Sequence, residues 1–524
     1  MAGSTFWQRR YLGNLIATNK TTQHEFIDMD QHTSSNQSTN AKLFKYWQTR
    51  TIIATMIGYA VFYFVRKNFS FAIPGLTAEY GITKTSFGII MTLVTIIYGI
   101  SRFLNGLIAD KMNARYHMSI GLFLCAIANF AFGWGSDLST IFTGETRGPM
   151  FTNTMVLIFG VILIINNLIQ GSGFPPVARL LTHWIPQNEL ATKMSIWNTS
   201  HSIGAALVAI LAGYIMGSMG TNMSNNPEVI NAIAANLKID LNDAEKMKSV
   251  IESASHYGAW KWCFWIPAAI ALVGSIGLFM GLRDTPSSVG LPELHKTYKK
   301  GKESSAEFKE FIKKSVYRNK WIWILGIANF FVYVVRFAVL DWGPTFLKEA
   351  HGMTLSNAGW TVAIFEIFGI LGMLAAGWVT DRFLEGKAHR TSLYCMVGVA
   401  IFMTIFLYLP DNTPSWLMIF VLAMCGFFIY GPQALIGIAA ANQATNRAAA
   451  TANGLTGLFG YASGLVSGVG VGFMVDTLSK TNPESAWDYV FMMMIGMAII
   501  CVFIFALMWK AKAHGYDELE TKEV

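Results

Sequence analysis

Tyr63-Phe64-Val65-Arg66, followed by Gly106-Leu-Ile-Ala-Asp110-Lys111-Met-Asn-Ala-Arg115, returns later in the chain as Tyr333-Val334-Val335-Arg336, followed by Gly377-Trp-Val-Thr-Asp381-Arg382. The gap from Arg66 to Gly106 is 40 positions and that from Arg336 to Gly377 is 41. An arginine inside an apolar stretch, then a Gly-to-Asp-Lys/Arg loop at a matched distance, is one unit written twice. The second copy closes on a basic loop holding Lys387 and Arg390.

Working outward, both copies lie in strongly apolar surroundings. The chain has 524 residues, of which 53% are hydrophobic and 13% charged, with a mean hydropathy of +0.41. That excess of apolar side chains suits a bilayer rather than water. A membrane helix needs about 20 mostly apolar residues. Such runs fall at 51–75, 86–109, 118–135, 153–182, 191–217 and 259–282, then at 320–347, 356–381, 391–409, 415–441, 448–476 and 486–510. The expectation is an all-α membrane protein of 12 transmembrane helices in two pseudo-symmetric six-helix bundles.

The divisions follow. Residues 1–49 form a polar N-terminal arm with no signal-peptide pattern, 50–283 the first bundle, 284–319 a basic linker, 320–511 the second bundle and 512–524 a tail. Within the first bundle 218–258 is a polar, Asn-rich loop with a helical pattern over 241–254. The formal charge of +8 sits mostly in short segments between apolar runs, which is positive-inside topology and not a nucleic-acid surface. An even number of spans places both termini, with the linker, in the cytoplasm. The five cysteines, Cys125, Cys263, Cys395, Cys425 and Cys501, stand singly, so neither a disulfide framework nor a metal site is expected. No P-loop, HExxH or nucleophile-elbow pattern occurs in a suitable setting, so neither an enzyme nor a cofactor is expected.

Burying a guanidinium at a helix centre costs at least about 2.5–3.5 kcal/mol, so Arg66 and Arg336 must face a cavity or a partner. One reading is an interior salt bridge. Helix one, however, holds no acid that would neutralise Arg66. The other reading is an anion: two planar guanidinium forks from symmetry-related helices match the several oxygens of a phosphate. Lys67 follows Arg66 at about 100° around the helix and cannot point to the same spot, so it serves packing, the cavity edge or the balancing of charge. His201 in Trp197-Asn198-Thr199-Ser200-His201 is either hydrogen-bonded across helices or a donor to a phosphoryl oxygen. Tyr59, Tyr63, Tyr98, Tyr333, Tyr430 and Tyr461 are phenols within apolar spans; Tyr63 and Tyr333 precede each arginine by three residues and share its face. Asp341 and Glu366 are acids of the second half that would balance Arg336 or Arg102. Asp110, Lys111 and Arg115, with Asp381 and Arg382, belong to the repeated loops and would latch one side by charge and helix-end contacts.

With its doubled loop and two six-helix halves, the chain resembles the major facilitator superfamily. YFVRKNF at 63–69, WNTSH at 197–201, YVVRFAVLDWGPTFL at 333–347, YGPQALIG at 430–437 and NGLTGLFGY at 453–461 resemble its organophosphate:phosphate antiporter family. That resemblance implies exchange of a phosphorylated organic anion, such as hexose-6-phosphate or glycerol-3-phosphate, for inorganic phosphate across the bacterial inner membrane. It places the two phosphate-binding arginines on Arg66 and Arg336, a substrate-responsive histidine on His201 and cavity-lining tyrosines on the six positions above, with Trp197 and Asn198 beside them. Arg102 stands where the family has Lys, and Asn113 where many members have Gly. Helix eleven is uncharged over 454–475, unlike the hexose-phosphate uptake carriers. The family also contains a hexose-phosphate sensor that signals to a membrane kinase, a rival reading with the same binding site. A proton-coupled symporter of a neutral solute is a third, disfavoured by the arginine in helix one.

Overall fold

The computed structural model describes residues 40–109, 112–293, 310–410, 413–444, 449–483 and 485–512. Asp110 and Lys111, most of the linker, and the greater part of both terminal segments lie outside the described residues. The described chain is almost entirely helical. A leading helix α1 covers 40–67 and continues through Phe69–Tyr80; then come α2 (Lys84–Ala109), α3 (Ala114–Gly133), α4 (Pro149–Gln170 with Phe174–Trp184), α5 (Gln187–Ser218) and α6 (Ala259–Gly281). The second set is α7 (Lys320–His351), α8 (Leu355–Phe383), α9 (Ala388–Leu407), α10 (Ser415–Gln443), α11 (Ala449–Ala462 continuing to Val471–Leu478) and α12 (Ala486–Leu507). Among the described residues, eleven helices are long and apolar enough to cross a membrane. The remaining long helix, α1, carries Arg50, Arg66 and Lys67.

Local chemistry sets the ends. Asn113 caps α3 by accepting from the Arg115 amide at 3.0 Å, which explains why an amide side chain stands at that place in the loop. Asn319 and Thr354 cap α7 and α8 in the same manner. Three helices break inside their spans. In α4, Pro175 and Pro176 supply no backbone N–H, and the helix restarts after Gly173. In α11 a π-turn at Leu465–Gly470 interrupts the ladder. In α1 the break is at Asn68, with Pro74 beyond it.

The two halves close on each other at the end that carries the α1–α2 turn, the 218–258 loop and the α7–α8 turn. There α2 crosses α11 so tightly that a Cβ on Gly88 would sit 2.5 Å from the Gly468 carbonyl oxygen, and α5 crosses α8 with the Ala209 carbonyl 2.4 Å from where a Cβ on Gly359 would be. Polar contacts reinforce the seal. Thr92 donates to the Gly464 carbonyl at 2.7 Å and accepts from the Val469 amide at 3.0 Å, using carbonyl and amide groups at the π-turn. Asp476 accepts from the Thr85 amide at 2.6 Å and its hydroxyl at 2.7 Å, at the start of α2, where a helix favours a negative charge. Lys84 pairs with Glu349 at 3.1 Å.

At the opposite end, among the described residues, no hydrogen bond or ion pair joins the halves. Arg115 turns back on its own half, donating to the Phe279 carbonyl at 2.5 Å with its guanidinium over the Phe279 ring, and Asp381 and Arg382 are exposed. Of the latch residues expected in the repeated loops, Arg115, Asp381 and Arg382 thus make no ion pair across the halves among the described residues, while Asp110 and Lys111 lie outside them. Replacing Gly88 with Leu is expected to push the sealed end open: spin labels at Thr83 and Lys480 should shift to longer separations by electron–electron resonance.

The 218–258 loop holds two helices, Pro227–Leu237 and Ala244–Ser255, where the sequence pattern showed only the second. Val229, Ile233 and Val250 cover Ala78 at the end of α1, and Ser253 accepts a 3.4 Å contact from Lys348 of the other half.

Candidate functional site

Midway between the sealed and open ends, eight side chains from six helices make a closed ring of contacts. Starting on α1, the Arg66 guanidinium lies 5.4 Å from the Tyr63 ring centroid. Tyr63 is 5.9 Å from His201 on α5, and His201 stacks at 6.5 Å on Tyr430 of α10. The Tyr430 hydroxyl accepts from Arg336 of α7 at 3.1 Å. Arg336 lies 5.9 Å from the Tyr333 ring, Tyr333 is 6.2 Å from Tyr461 of α11, and Tyr461 is 5.3 Å from Tyr98 of α2. Tyr98 returns to Arg66, whose guanidinium sits 3.6 Å above its ring. All eight were candidates from sequence. Each bundle contributes four of them.

The other candidates attach to this ring. Arg102 donates to the Tyr461 hydroxyl at 2.9 Å and covers the Phe174 ring. Tyr59 packs between Tyr63 and Trp197, with centroids 5.6 and 4.8 Å away. Asn198 contributes its carbonyl, which accepts from His201 Nδ1. With Nδ1 so occupied, neutral His201 presents Nε2 as an acceptor, 3.3 Å from the Ser202 hydroxyl. It can donate to an anion through Nε2 only as the imidazolium.

The charges are unevenly balanced. Among the described residues, no carboxylate forms an ion pair with Arg66, Arg102 or Arg336. The Arg336 Nε is buried without a hydrogen-bond partner. What surrounds these cations is aromatic ring faces and phenol oxygens, which stabilise a guanidinium weakly and leave its donors available. Asp341, expected to offset Arg336 or Arg102, instead meets Lys67 at 2.5 Å, tying α7 to α1. The reason lies in the helical turn between Arg66 and Lys67: the arginine points into the ring, and the lysine points across the seam. Lys67 is thus an ion-pair member as well as an edge residue, with its ammonium 5.3 Å from the Phe337 ring. Glu366 is fully buried at the α5–α8 crossing, beside the hydroxyls of Tyr430 and Ser202. It stands close enough to Arg336 and Lys67 to feel both charges.

A cluster of amides behind Arg66 escaped the sequence reading. Where α1 breaks at Asn68, the Val65 carbonyl accepts from Asn129 at 3.1 Å, Asn166 at 3.0 Å and Gln170 at 3.2 Å. Asn68 itself donates to Asn129 at 2.9 Å and to the Cys263 carbonyl at 2.8 Å. Three amides on one buried carbonyl fix the backbone immediately before Arg66. Substituting Asn166 with Leu is expected to cost about 1–3 kcal/mol of stability, since the cluster is left partly unsatisfied; a denaturation midpoint in detergent would show it.

The family model described as Major Facilitator Superfamily matches residues 55–469. A probable hexose phosphate transport protein of Chlamydia trachomatis is 34% identical over 490 residues, covering 90% of this chain and 93% of that protein. The glycerol-3-phosphate transporter of Bacillus subtilis is 34% identical over 474 residues, 89% of this chain and 93% of its own length. The membrane sensor protein UhpC of Escherichia coli is 31% identical over 449 residues, 83% and 87% of the two chains. Among solved structures, a bacterial homologue of the human lysosomal transporter Spinster, inward-facing and unoccupied, superposes with a TM-score of 0.66 at 14% identity, over 88% of this chain and 96% of that one.

Proposed function

The chain belongs to the major facilitator superfamily, and we propose that within it this protein carries a phosphorylated organic anion, a hexose phosphate or glycerol-3-phosphate, in exchange for inorganic phosphate. The observation that carries this reading is the ring: two guanidiniums from opposite bundles, neither of them in an ion pair with a carboxylate among the described residues, joined by phenols and one imidazole. A phosphoryl dianion placed among them takes charge-assisted hydrogen bonds from both forks. His201 closes the ring between Tyr63 and Tyr430 and, as a neutral imidazole, offers Nε2 as an acceptor to a substrate hydroxyl. The organic part rests against Tyr59, Trp197 and Tyr461, which offer apolar faces and hydroxyls rather than charge.

Alternating access follows from where the halves touch. In this conformation one end is sealed by α2–α11 and α5–α8. An anion bridging Arg66 and Arg336 pulls the parted ends together, whereas an empty ring holds unbalanced cations that resist closure. Occupied carriers then cross and empty ones do not, which makes the process an exchange. Topology by the positive-inside rule puts both termini, and the open end, in the cytoplasm of a bacterial inner membrane.

The test is counterflow of labelled phosphate in proteoliposomes, with glucose-6-phosphate and glycerol-3-phosphate as competitors. Saturable exchange is expected, and the stronger competitor names the organic moiety. The similarity to UhpC favours a second reading, a sensor that binds the same ligand and reports to a membrane kinase. Ligand binding without any counterflow would establish that reading and overturn exchange.

A further inference from the structure

A second site lies outside the central ring, on the outer face of the first bundle. A groove of about 880 Å³ runs between α1 and α6. At one end it is lined by Lys42, Lys45 and Tyr46; along its length come Ile53, Ile57 and Val273. Ile57 is 59% exposed and Val273 72% exposed, so the apolar part is open to the side, where lipid would be. Glycine makes the groove. Gly58 and Gly274 let the helices approach, since a Cβ on Gly58 would meet Leu278 at 2.4 Å and one on Gly274 would meet Val61 at 3.0 Å. At Gly277 a Cβ would meet nothing within 4 Å, so the channel is empty there.

The polar end has an excess of cations. Arg50 spends its donors on the Gly281 and Met280 carbonyls and on the Tyr46 hydroxyl, at 3.1, 3.0 and 2.8 Å, and so closes the end of α6. Arg50 and Arg283 both lie over the Trp47 ring, at 4.8 and 5.2 Å. The nearby Asp284 carboxylate is already used by Arg179 at 2.9 Å and the Ala114 amide at 2.7 Å. Among the described residues, neither Lys42 nor Lys45 forms an ion pair. From Lys42 to Ile57 the helix rises about 22 Å, enough for a headgroup and the acyl chain of one leaflet, itself about 15 Å deep.

We propose that this groove binds one anionic phospholipid, its phosphate held by Lys42 and Lys45 and one acyl chain lying along Ile53, Ile57 and Val273 over the open space at Gly277. A soluble phosphate would use only the cationic end and leave the exposed apolar channel unexplained. The lipid is bound laterally, away from the ring, so the assignment does not depend on what the carrier exchanges.

Native mass spectrometry of the full chain, released from membranes of equal phosphatidylglycerol and phosphatidylcholine, tests this. One retained phosphatidylglycerol is expected on the unaltered protein. Two changes acting on different parts of the lipid, Lys42→Gln with Lys45→Gln and, separately, Gly277→Leu, should each reduce it at least fivefold while the melting temperature is kept. Equal retention of phosphatidylcholine, or retention unaffected by both changes, would overturn the site. Displacement by millimolar inorganic phosphate would assign the cations to a soluble anion instead. Lipid bound only after removal of residues 1–39 would make that segment the occupant, and the proposal would then fail.

Discussion

Lysine in place of Arg336 is expected to lower phosphate counterflow by at least about 100-fold, although the charge is retained. Arg336 is 6% exposed, and its Nη2 donates to Tyr430 while its Nε has no partner. A guanidinium in that position offers a fixed fork to the phosphoryl oxygens; an ammonium offers a shorter, more strongly hydrated point charge. Truncating one member of a buried, hydrogen-bonded charge pair typically costs about 2–5 kcal/mol, and each 1.4 kcal/mol is about tenfold. Arg66→Lys should behave alike, since Arg66 stacks 3.6 Å from the Tyr98 centroid, a contact shaped for a flat cation. A proton-coupled carrier of a neutral solute would tolerate both changes, so transport near the unaltered rate would remove the anion reading altogether.

The second large effect concerns Lys67 and Asp341, 2.5 Å apart with side chains 18% and 17% exposed. Asp341→Asn should stop most transport and destabilise the carrier by about 3–5 kcal/mol, because the Lys67 ammonium, set beside Phe337 and apolar helix, then loses its only ion-pair partner among the described residues. Lys67→Gln strands the carboxylate with the same consequence. Exchanging the two residues, Lys67→Asp with Asp341→Lys, keeps one cation and one anion across the seam and should recover at least tenfold over either single change. No recovery would mean that each side chain acts separately, Lys67 as a packing residue and Asp341 through some other cation.

Much of this site is legible in the sequence, because it depends on features that survive without tertiary information. A charge inside an apolar helix is conspicuous, and its recurrence at a matched distance from Asp-Lys and Asp-Arg loops pairs Arg66 with Arg336. Tyr63 and Tyr333 follow from the helical repeat. What remained hidden depends on register between distant helices. Asp341 turned out to face Lys67, and nothing in spacing selects that partner over Arg336. Asn129, Asn166 and Gln170 look like ordinary polar residues in membrane helices; only the break at Asn68 brings them onto one carbonyl. Asp476 sits one position beyond the uncharged run of helix eleven, yet it holds the start of α2 across the seal. The π-turn in α11 has no proline to announce it, and its signal is the glycine sequence 464–472 that also allows α2 to approach.

The claim at the centre of this account is that Arg66 and Arg336 grip the same phosphoryl group. A double-mutant cycle on phosphate affinity, measured calorimetrically with Arg66→Lys, Arg336→Lys and the double variant, tests it directly. If one clamp is shared, the first substitution already destroys the bridge, and the double variant should bind within about threefold of the weaker single one. Losses that multiply, each arginine contributing its full factor in the absence of the other, would mean two independent anion contacts and would contradict a shared clamp.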